Sequence, residues 1–336
     1  MRDAVESVEL TGEVGASAGR LRLFFPTMKA LITGGAGFIG SHLARRLLSL
    51  GYEVRVVDNL SSGKRANLDG VLGAIDFVEA DVRDAPRMVT LARGHDVIFH
   101  EAALVSVPYS VEHPQETHDV NLQGTLNVLE AARAAAVRRV VFASSAAIYG
   151  DSPELPKTET MRPEPLSPYG VEKLASEHYL AVYSRLHRVE TVALRYFNVF
   201  GPRQDPSSPY SGVISIFVDR ALRDESPTIF GDGRACRDFV FVDNVVDANV
   251  AAATRAGVSG GVFNIACGVR TTLNELCATL ARIVGKDVKP RYSEARPGDI
   301  VASVANIDRA RASLGYAPKI DVEGGLRQLV DFVRIA

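Results

Sequence analysis

Tyr169-Gly170-Val171-Glu172-Lys173 places a phenol and an ammonium at positions i and i+4, on one face if the segment is helical. A phenol titrates near ~10 when unperturbed, and a neighbouring ammonium favours its ionised form. The pair predicts a general base that removes a proton from a substrate hydroxyl. Ser144-Ser145 closes the apolar run Arg139–Ala143, where a hydroxyl can bond the reacting oxygen and relay its proton. Tyrosine and lysine at this spacing also occur on ordinary surface helices, so the pair needs a second signal to carry chemistry.

That signal lies upstream. Gly34-Gly35-Ala36-Gly37-Phe38-Ile39-Gly40 joins the apolar run Lys29–Thr33 to a helical pattern. Gly34 and Gly37 let the chain turn sharply and let a pyrophosphate approach the backbone at a helix N-terminus, and Gly40 permits close helix–sheet packing. Asp58 ends the next strand at the distance, about 20 residues on, where a carboxylate accepts hydrogen bonds from a ribose diol and repels a 2′-phosphate. NAD is thereby favoured over NADP, and Asp81-Val82 after the third strand reaches the same cleft. An oxidised nicotinamide would add a second positive charge beside Tyr169 and accept the hydride that leaves as the proton does.

The elements around these residues alternate. Strands are expected at Lys29–Thr33, Glu53–Val57, Ile75–Val78, Asp96–Phe99, Arg139–Ala143 and Glu190–Arg195. Helices are expected after Gly37 (Ile39, Leu43 and Leu47 on one stripe, Gly51 as the stop), from about Pro114 to Ala136, and from about Pro168 to Leu186. Such alternation predicts an α/β fold, a doubly wound parallel sheet covered on both faces. Beyond Arg195 the pattern loosens through a loop at 201–209 and a turn at Gly231-Asp232-Gly233. A strand at Phe239–Val242 and helices at about Asn244–Arg255, Leu273–Val284 and Ile307–Leu314 follow. The organisation read from this is an extension at 1–27, a nucleotide-binding domain at 28–196 completed by about 236–284, and a smaller α/β substrate-binding region from 197–235 and 285–336.

Composition removes other classes. The 336 residues carry 38 Lys+Arg against 40 Asp+Glu, a formal charge of −2, so no basic field marks a nucleic-acid partner. No apolar run approaches the ~20 residues that span a bilayer, so no membrane association is expected. Three cysteines and scattered histidines offer no disulfide framework and no metal spacing. Cys236 reads as a small buried residue, His100 as structural, and the setting as cytoplasmic. Residues 1–27 have no amphipathic period; Asp3, Glu6, Glu9 and Glu13 argue against a transit peptide, and Met28 directly precedes the first strand. They are expected to be disordered.

From Met28 onward the chain resembles the extended short-chain dehydrogenase/reductases, and within them the nucleotide-sugar 4-epimerases. The resemblance rests on Thr33–Gly40, His100-Glu101-Ala102-Ala103, Asn121-Leu122-Gln123-Gly124-Thr125, Ser144–Gly150, Tyr169–Lys173, Arg195-Tyr196-Phe197-Asn198, Arg237-Asp238-Phe239 and Arg296-Pro297-Gly298-Asp299. It implies a Rossmann-type sheet and a catalytic triad of Ser145, Tyr169 and Lys173. It further implies NAD contacts from Phe38, Ile39, Asp58, Asn59, Gly63, Asp81, Val82, Ala102, Ala103, Asn121, Ser144, Tyr169, Lys173 and Phe197. Asn198, Arg237 and Arg296 would hold the substrate pyrophosphate, with Phe230 near the base and Asp299 and Ser303 beside the sugar. Paired arginines suit phosphate by charge and planar donor geometry. A homodimer through the helices at about 114–136 and 168–186 is implied as well.

Two positions narrow the reaction. Related dehydratases carry an acidic residue after the catalytic hydroxyl, whereas Ala146 and Ala147 follow Ser145 here, which favours 4-epimerisation through a transient 4-keto sugar. Similar epimerases that carry a bulky tyrosine at the position of Ser303 have a restricted pocket; a small residue admits a 2-acetamido group. Leu194–Pro206 also resembles the subgroup acting on UDP-N-acetylhexosamines. The expected substrates are UDP-N-acetylglucosamine/UDP-N-acetylgalactosamine, with UDP-glucose/UDP-galactose as a second pair. The alternatives are a UDP-glucuronate or other nucleotide-sugar epimerase, a net dehydrogenase or reductase, and a non-catalytic NAD-binding regulator.

Overall fold

The computed structural model describes residues 27–205, 212–295 and 301–335. The first half of the chain supplies β1 (Lys29–Thr33), β2 (Glu53–Asp58), β3 (Asp76–Glu79), β4 (Val97–His100), β5 (Arg139–Ser145) and β6 (Glu190–Tyr196). Between them run α1 (Phe38–Ser49), α2 (Ala85–Ala92), α3 (Val107–Glu112), α4 (Pro114–His118), α5 (Gly124–Ala134) and α6 (Pro168–Leu186). The second half adds β7 (Asn198–Phe200), α7 (Val213–Leu222), β8 (Thr228–Phe230), β9 (Cys236–Arg237), β10 (Phe239–Phe241), α8 (Val242–Thr254) and β11 (Gly261–Ile265). It ends with β12 (Thr271–Thr272), α9 (Leu273–Val284), β13 (Arg291–Ser293), β14 (Ala302–Ser303), α10 (Asp308–Leu314) and α11 (Val322–Ile335).

Seven strands form one parallel sheet in the order β11-β6-β5-β4-β1-β2-β3. Successive side chains on its strands enter opposite cores, as the two-residue period requires. Ala30, Ile32, Val56, Phe99, Val141 and Leu194 pack on one side. Leu31, Val57, Ile98, Phe142 and Ala193 pack on the other. Burial on both faces is why the central strands β1, β4 and β5 read as near-continuous apolar runs rather than alternating. α1 and α8 pack together over the first face, and α2, α5 and α6 over the second. The order reverses between β1 and β4, so a crevice opens at the carboxyl ends of those strands.

Three small sheets stand beside the main one. β7 pairs with β10, β8 with β13, and β9 lies between β12 and β14. α7 and α11 went unread in the sequence because their apolar residues pack against α9 and β10 in a region without a regular alternation.

One expected element is corrected. The single helix at about 114–136 is broken by a π-helical turn at Asp119–Gln123 between α4 and α5. The wider turn directs Asn121 inward, where its amide bonds the Leu104 backbone and Glu172. A side chain inserted this way is a recognised cause of π-turns at functional sites.

Candidate active site

α6 is fixed at its first turn. Ser167 caps it by accepting from the Gly170 N–H at 3.2 Å, Pro168 supplies a preset φ, and the Tyr169 N–H donates to Ser110 Oγ at 3.2 Å. Tyr169 and Lys173 are both buried on the sheet-facing side. Lys173 Nζ donates to the Ala143 carbonyl at 2.7 Å and stands 4.7 Å from the centre of the Phe142 ring and 5.7 Å from that of Tyr169. The Ser145 hydroxyl accepts from the Ala147 N–H at 3.1 Å and is hydrogen-bonded to the Tyr169 phenol. Ser145, Tyr169 and Lys173 therefore meet at the carboxyl end of β5.

Burial pulls the Lys173 ammonium down to about 8, against the opposing charges of Glu101, Glu172 and Glu177. The Tyr169 phenol behaves differently from the sequence-based expectation. Burial raises it above its ordinary value, with the Ser145 hydrogen bond pulling the other way and Glu172 adding to the rise. The physical reason is geometric: Lys173 Nζ is held on the Ala143 carbonyl rather than on the phenol oxygen. Within the chain alone, Tyr169 is a neutral phenol beside an ammonium.

The glycine turn lies at the end of β1. Gly34 has φ +69°, and a Cβ on it would stand 2.6 Å from the Ala102 N atom; a Cβ on Gly40 would stand 2.3 Å from the Gly34 carbonyl oxygen. β1, α1 and the end of β4 thus approach at backbone distance. α1 begins at Phe38 with Gly37 as its N-cap, with no side-chain cap and no acidic residue in its first turn. Its leading N–H groups suit an anion. Asp58 Oδ2 accepts from the Ala36 N–H at 2.9 Å and Oδ1 from the Leu60 N–H at 2.8 Å. Burial raises this carboxyl, and those two N–H groups oppose the rise. Gly63 lies directly against it. Asn59 Nδ2 donates to Asp81 Oδ2 at 2.9 Å, and hydrogen bonding by Arg83 holds Asp81 down to about 2. Phe38, Ile39, Ala102 and Ala103 are half-buried, and Val82 and Phe197 are buried.

Two residues assigned to the cofactor have side chains engaged within the chain. Ser144 alternates away from Ser145 and donates to Glu177 Oε1 at 2.5 Å. The Asn121 amide is engaged by the Leu104 backbone and Glu172. On the substrate side, Asn198 is exposed at the start of β7, and Phe230 is half-buried at the end of β8. The β14–β9 register sets Ser303 beside Arg237. Arg296 and Asp299 lie outside the described residues, as does nearly all of the 1–27 extension. Cys236 is buried, and His100 is held between Thr33 Oγ1 and Thr125 Oγ1. Burial and the Lys173 charge lower His100 to about 3, so it is neutral. Among the described residues no cluster of His, Cys, Asp or Glu could hold a metal ion.

Residues 30–266 match the NAD dependent epimerase/dehydratase family. The chain belongs to that family. UDP-glucose 4-epimerase of Mycolicibacterium smegmatis is 42% identical over 311 residues, covering 91% of this chain and 99% of that one. Among solved structures, UDP-N-acetylglucosamine 4-epimerase from Methanobrevibacter ruminantium M1, in complex with UDP-N-acetylmuramic acid, superimposes with TM-score 0.89 at 37% identity over 93% of this chain and 99% of that one. The UDP-glucose 4-epimerase of Thermus thermophilus, in complex with NAD, gives TM-score 0.83 at 40% identity over 92% and 100%. NAD is the family's cofactor, and the cradle fits it: a backbone approach that a Cβ would fill, an uncapped helix start and the Asp58 carboxylate.

The sequence reading missed several residues that organise the site. Glu177 pairs with Arg195 beneath β5, both about 5% exposed, with N–O 2.7 Å. Asp238 accepts from the N–H groups of Cys267, Gly268 and Ala305, binding the end of β11 to the strand that carries Ser303. Glu101 receives the Tyr196 hydroxyl at 2.9 Å. Glu101, Arg195 and Asp238 stand within the motifs quoted above, which gave them no role, and Glu177 carries no local signal.

Proposed function

We propose that this protein interconverts UDP-N-acetylglucosamine and UDP-N-acetylgalactosamine by 4-epimerisation, and that it also accepts the UDP-glucose/UDP-galactose pair. The coarser activity is that of its family: it is an NAD-dependent UDP-sugar 4-epimerase, an isomerase. The observation that carries the finer reading is Ser303, a small side chain held beside Arg237 by the β14–β9 register. Its volume leaves room for a 2-acetamido group, and the structurally similar Methanobrevibacter enzyme is named for that class of sugar. The Mycolicibacterium relative, named for UDP-glucose, supports the second pair.

The site residues divide the work. The glycine turn, the start of α1 and Asp58 would hold NAD, which would supply the hydride acceptor and donor at the sugar carbon. Tyr169 would receive the 4-hydroxyl proton, with Ser145 beside the phenol and the Lys173 ammonium 5.7 Å from its ring centre. Asp58 receives the ribose hydroxyls, and Asn198, Arg237 and Arg296 hold the pyrophosphate while the keto sugar turns over. With no acidic side chain after Ser145, elimination of water lacks its acid–base group.

Incubation with UDP-N-acetylglucosamine, UDP-glucose and UDP-glucuronate without added NAD, followed by separation of the products, tests the reading. Conversion of the acetylated sugar supports it; conversion of UDP-glucuronate alone overturns it. Ser303→Tyr is expected to lose at least roughly tenfold on the acetylated pair, the scale of steric discrimination in a pocket, while retaining UDP-glucose. Equal loss on both refutes the pocket-size argument.

A homodimer belongs to the same proposal. Val171, Tyr179, Val182 and Leu186 of α6 and Val107 and Val111 of α3 are exposed. An apolar surface of this kind on adjoining helices is a subunit interface pattern. Sedimentation is expected to give twice the 36.2 kDa chain mass, and a monomer at micromolar concentration would contradict it. Among the described residues no helix is long and apolar enough to cross a membrane.

A further inference from the structure

The carboxyl of Glu101 stands just past the end of β4, in a position that the proton-handling groups do not explain. The β4–β5 register pairs His100 with Phe142, which brings Glu101 beside Ala143, the residue whose carbonyl holds Lys173 Nζ. On the far side of β5, the β5–β6 register sets Tyr196 beside Ser145. Tyr196 Oη donates to Glu101 Oε1 at 2.9 Å, so the contact passes from β6 to β4 beneath the strand that carries Ser145. Asn249 of α8 fixes its direction. The Asn249 amide nitrogen donates to Tyr196 Oη at 2.7 Å and to the Val245 carbonyl at 3.0 Å. A carbonyl can only accept, so the amide NH₂ must face it, and Tyr196 Oη, receiving the other amide hydrogen, turns its own proton toward Glu101.

We propose that Glu101 is a positioning residue of the active site, an anion held one strand away that sustains the Lys173 ammonium, with Tyr196 and Asn249 locking its carboxylate in place. This rests on the reading of Tyr169 and Lys173 as the proton-handling pair. The groups facing Lys173 are Glu172, Glu177 and Tyr169 from its own helix, and His100 and Glu101 from β4. Glu172 is engaged by Asn121, and Glu177 by Arg195 and Ser144, whereas His100 is neutral. Among the described residues Glu101 has no cationic hydrogen-bond partner; Tyr196 and the Lys173 charge are what face it. Burial raises it to about 7, so its negative charge develops through neutral pH and reaches Lys173 most fully above that.

The sign follows. Below about 7 the wild-type carboxyl is protonated and resembles an amide; above it, the carboxylate raises the affinity of Lys173 for its proton. Glu101→Gln keeps an acceptor for Tyr196 and removes the charge. Its epimerisation rate relative to wild type is expected to fall between about pH 6 and about pH 9, by roughly threefold to tenfold at the upper end. A readout independent of turnover is the titration of Lys173 in protein labelled with ¹³C-lysine, assigned with Lys173→Arg. Glu101→Gln should move the midpoint to lower pH. Tyr196→Phe should move it the same way by less, because loss of the phenol hydrogen bond leaves Glu101 protonated to higher pH. An unchanged Lys173 midpoint in folded Glu101→Gln overturns the proposal, whatever the activity. A shifted midpoint in a protein without epimerase activity retains it and instead rejects the assigned reaction.

Discussion

Tyr169→Phe is expected to lose roughly 10²–10⁴-fold in epimerisation rate, the range supplied by a positioned acid–base group. The substitution removes one oxygen and leaves the ring, which packs at the start of α6 with the Lys173 ammonium 5.7 Å from its centre. Helix capping by Ser167 and the Ser110 bond to the residue-169 N–H do not involve the phenol, so folding should be untouched. Neither Asp58 nor the glycine turn contacts it, so NAD content should be retained. What is lost is the acceptor for the sugar hydroxyl proton, and Ser145 cannot replace it, because a hydroxyl has no basic lone pair at neutral pH comparable to a phenolate. Quantifying both epimers after incubation, with NAD released by denaturation as the control, measures the effect. Activity within roughly tenfold of wild type would remove Tyr169 from the reaction.

Glu177→Ala is expected to destabilise the fold by about 3–5 kcal/mol, the usual consequence of leaving a buried charge without its partner. Arg195 is 4% exposed and donates to both oxygens of Glu177, at 2.9 and 2.7 Å, and to Tyr149 Oη at 2.9 Å. Ser144 donates to the same carboxylate, and Tyr149 continues to Asn264 on β11. The network therefore joins α6, β5, β6 and β11 beneath Ser145. Against a typical net stability of about 5–15 kcal/mol, the loss is large. Denaturant midpoints should show it, and Glu177→Gln, which keeps an acceptor, should lose less. The double replacement Glu177→Leu with Arg195→Met should recover much of the loss, since apolar substitutes for a buried pair are often neutral. A single Glu177→Ala variant as stable as wild type would show that water satisfies Arg195.

How much of this was legible depended on the range of the interactions involved. The central strands β1, β4 and β5 declared themselves because burial on both faces demands apolar runs, and α1, α6 and α9 because their stripes and stops are local. The placement of Tyr169 and Lys173 on one helix face was readable for the same reason: an i, i+4 spacing on a helix is decided within five residues. The break at Asp119–Gln123 was not readable, since it follows from Asn121 bonding a loop and a second helix. Ser144 and Ser145 are identical in type and adjacent, yet strand alternation sends one to Glu177 and the other to Tyr169.

The sequence by itself determined the parallel α/β sheet, the dinucleotide turn with its acidic partner and the i, i+4 placement of Tyr169 and Lys173. Each is written in spacing along the chain. Only the tertiary structure decided their charge states and supports. Lys173 near 8, a phenol raised rather than lowered, and the Glu101–Tyr196 and Glu177–Arg195 contacts all arise from burial and from register between distant strands. Desolvation depends on what surrounds a group from every side, and that is fixed only when the chain closes on itself.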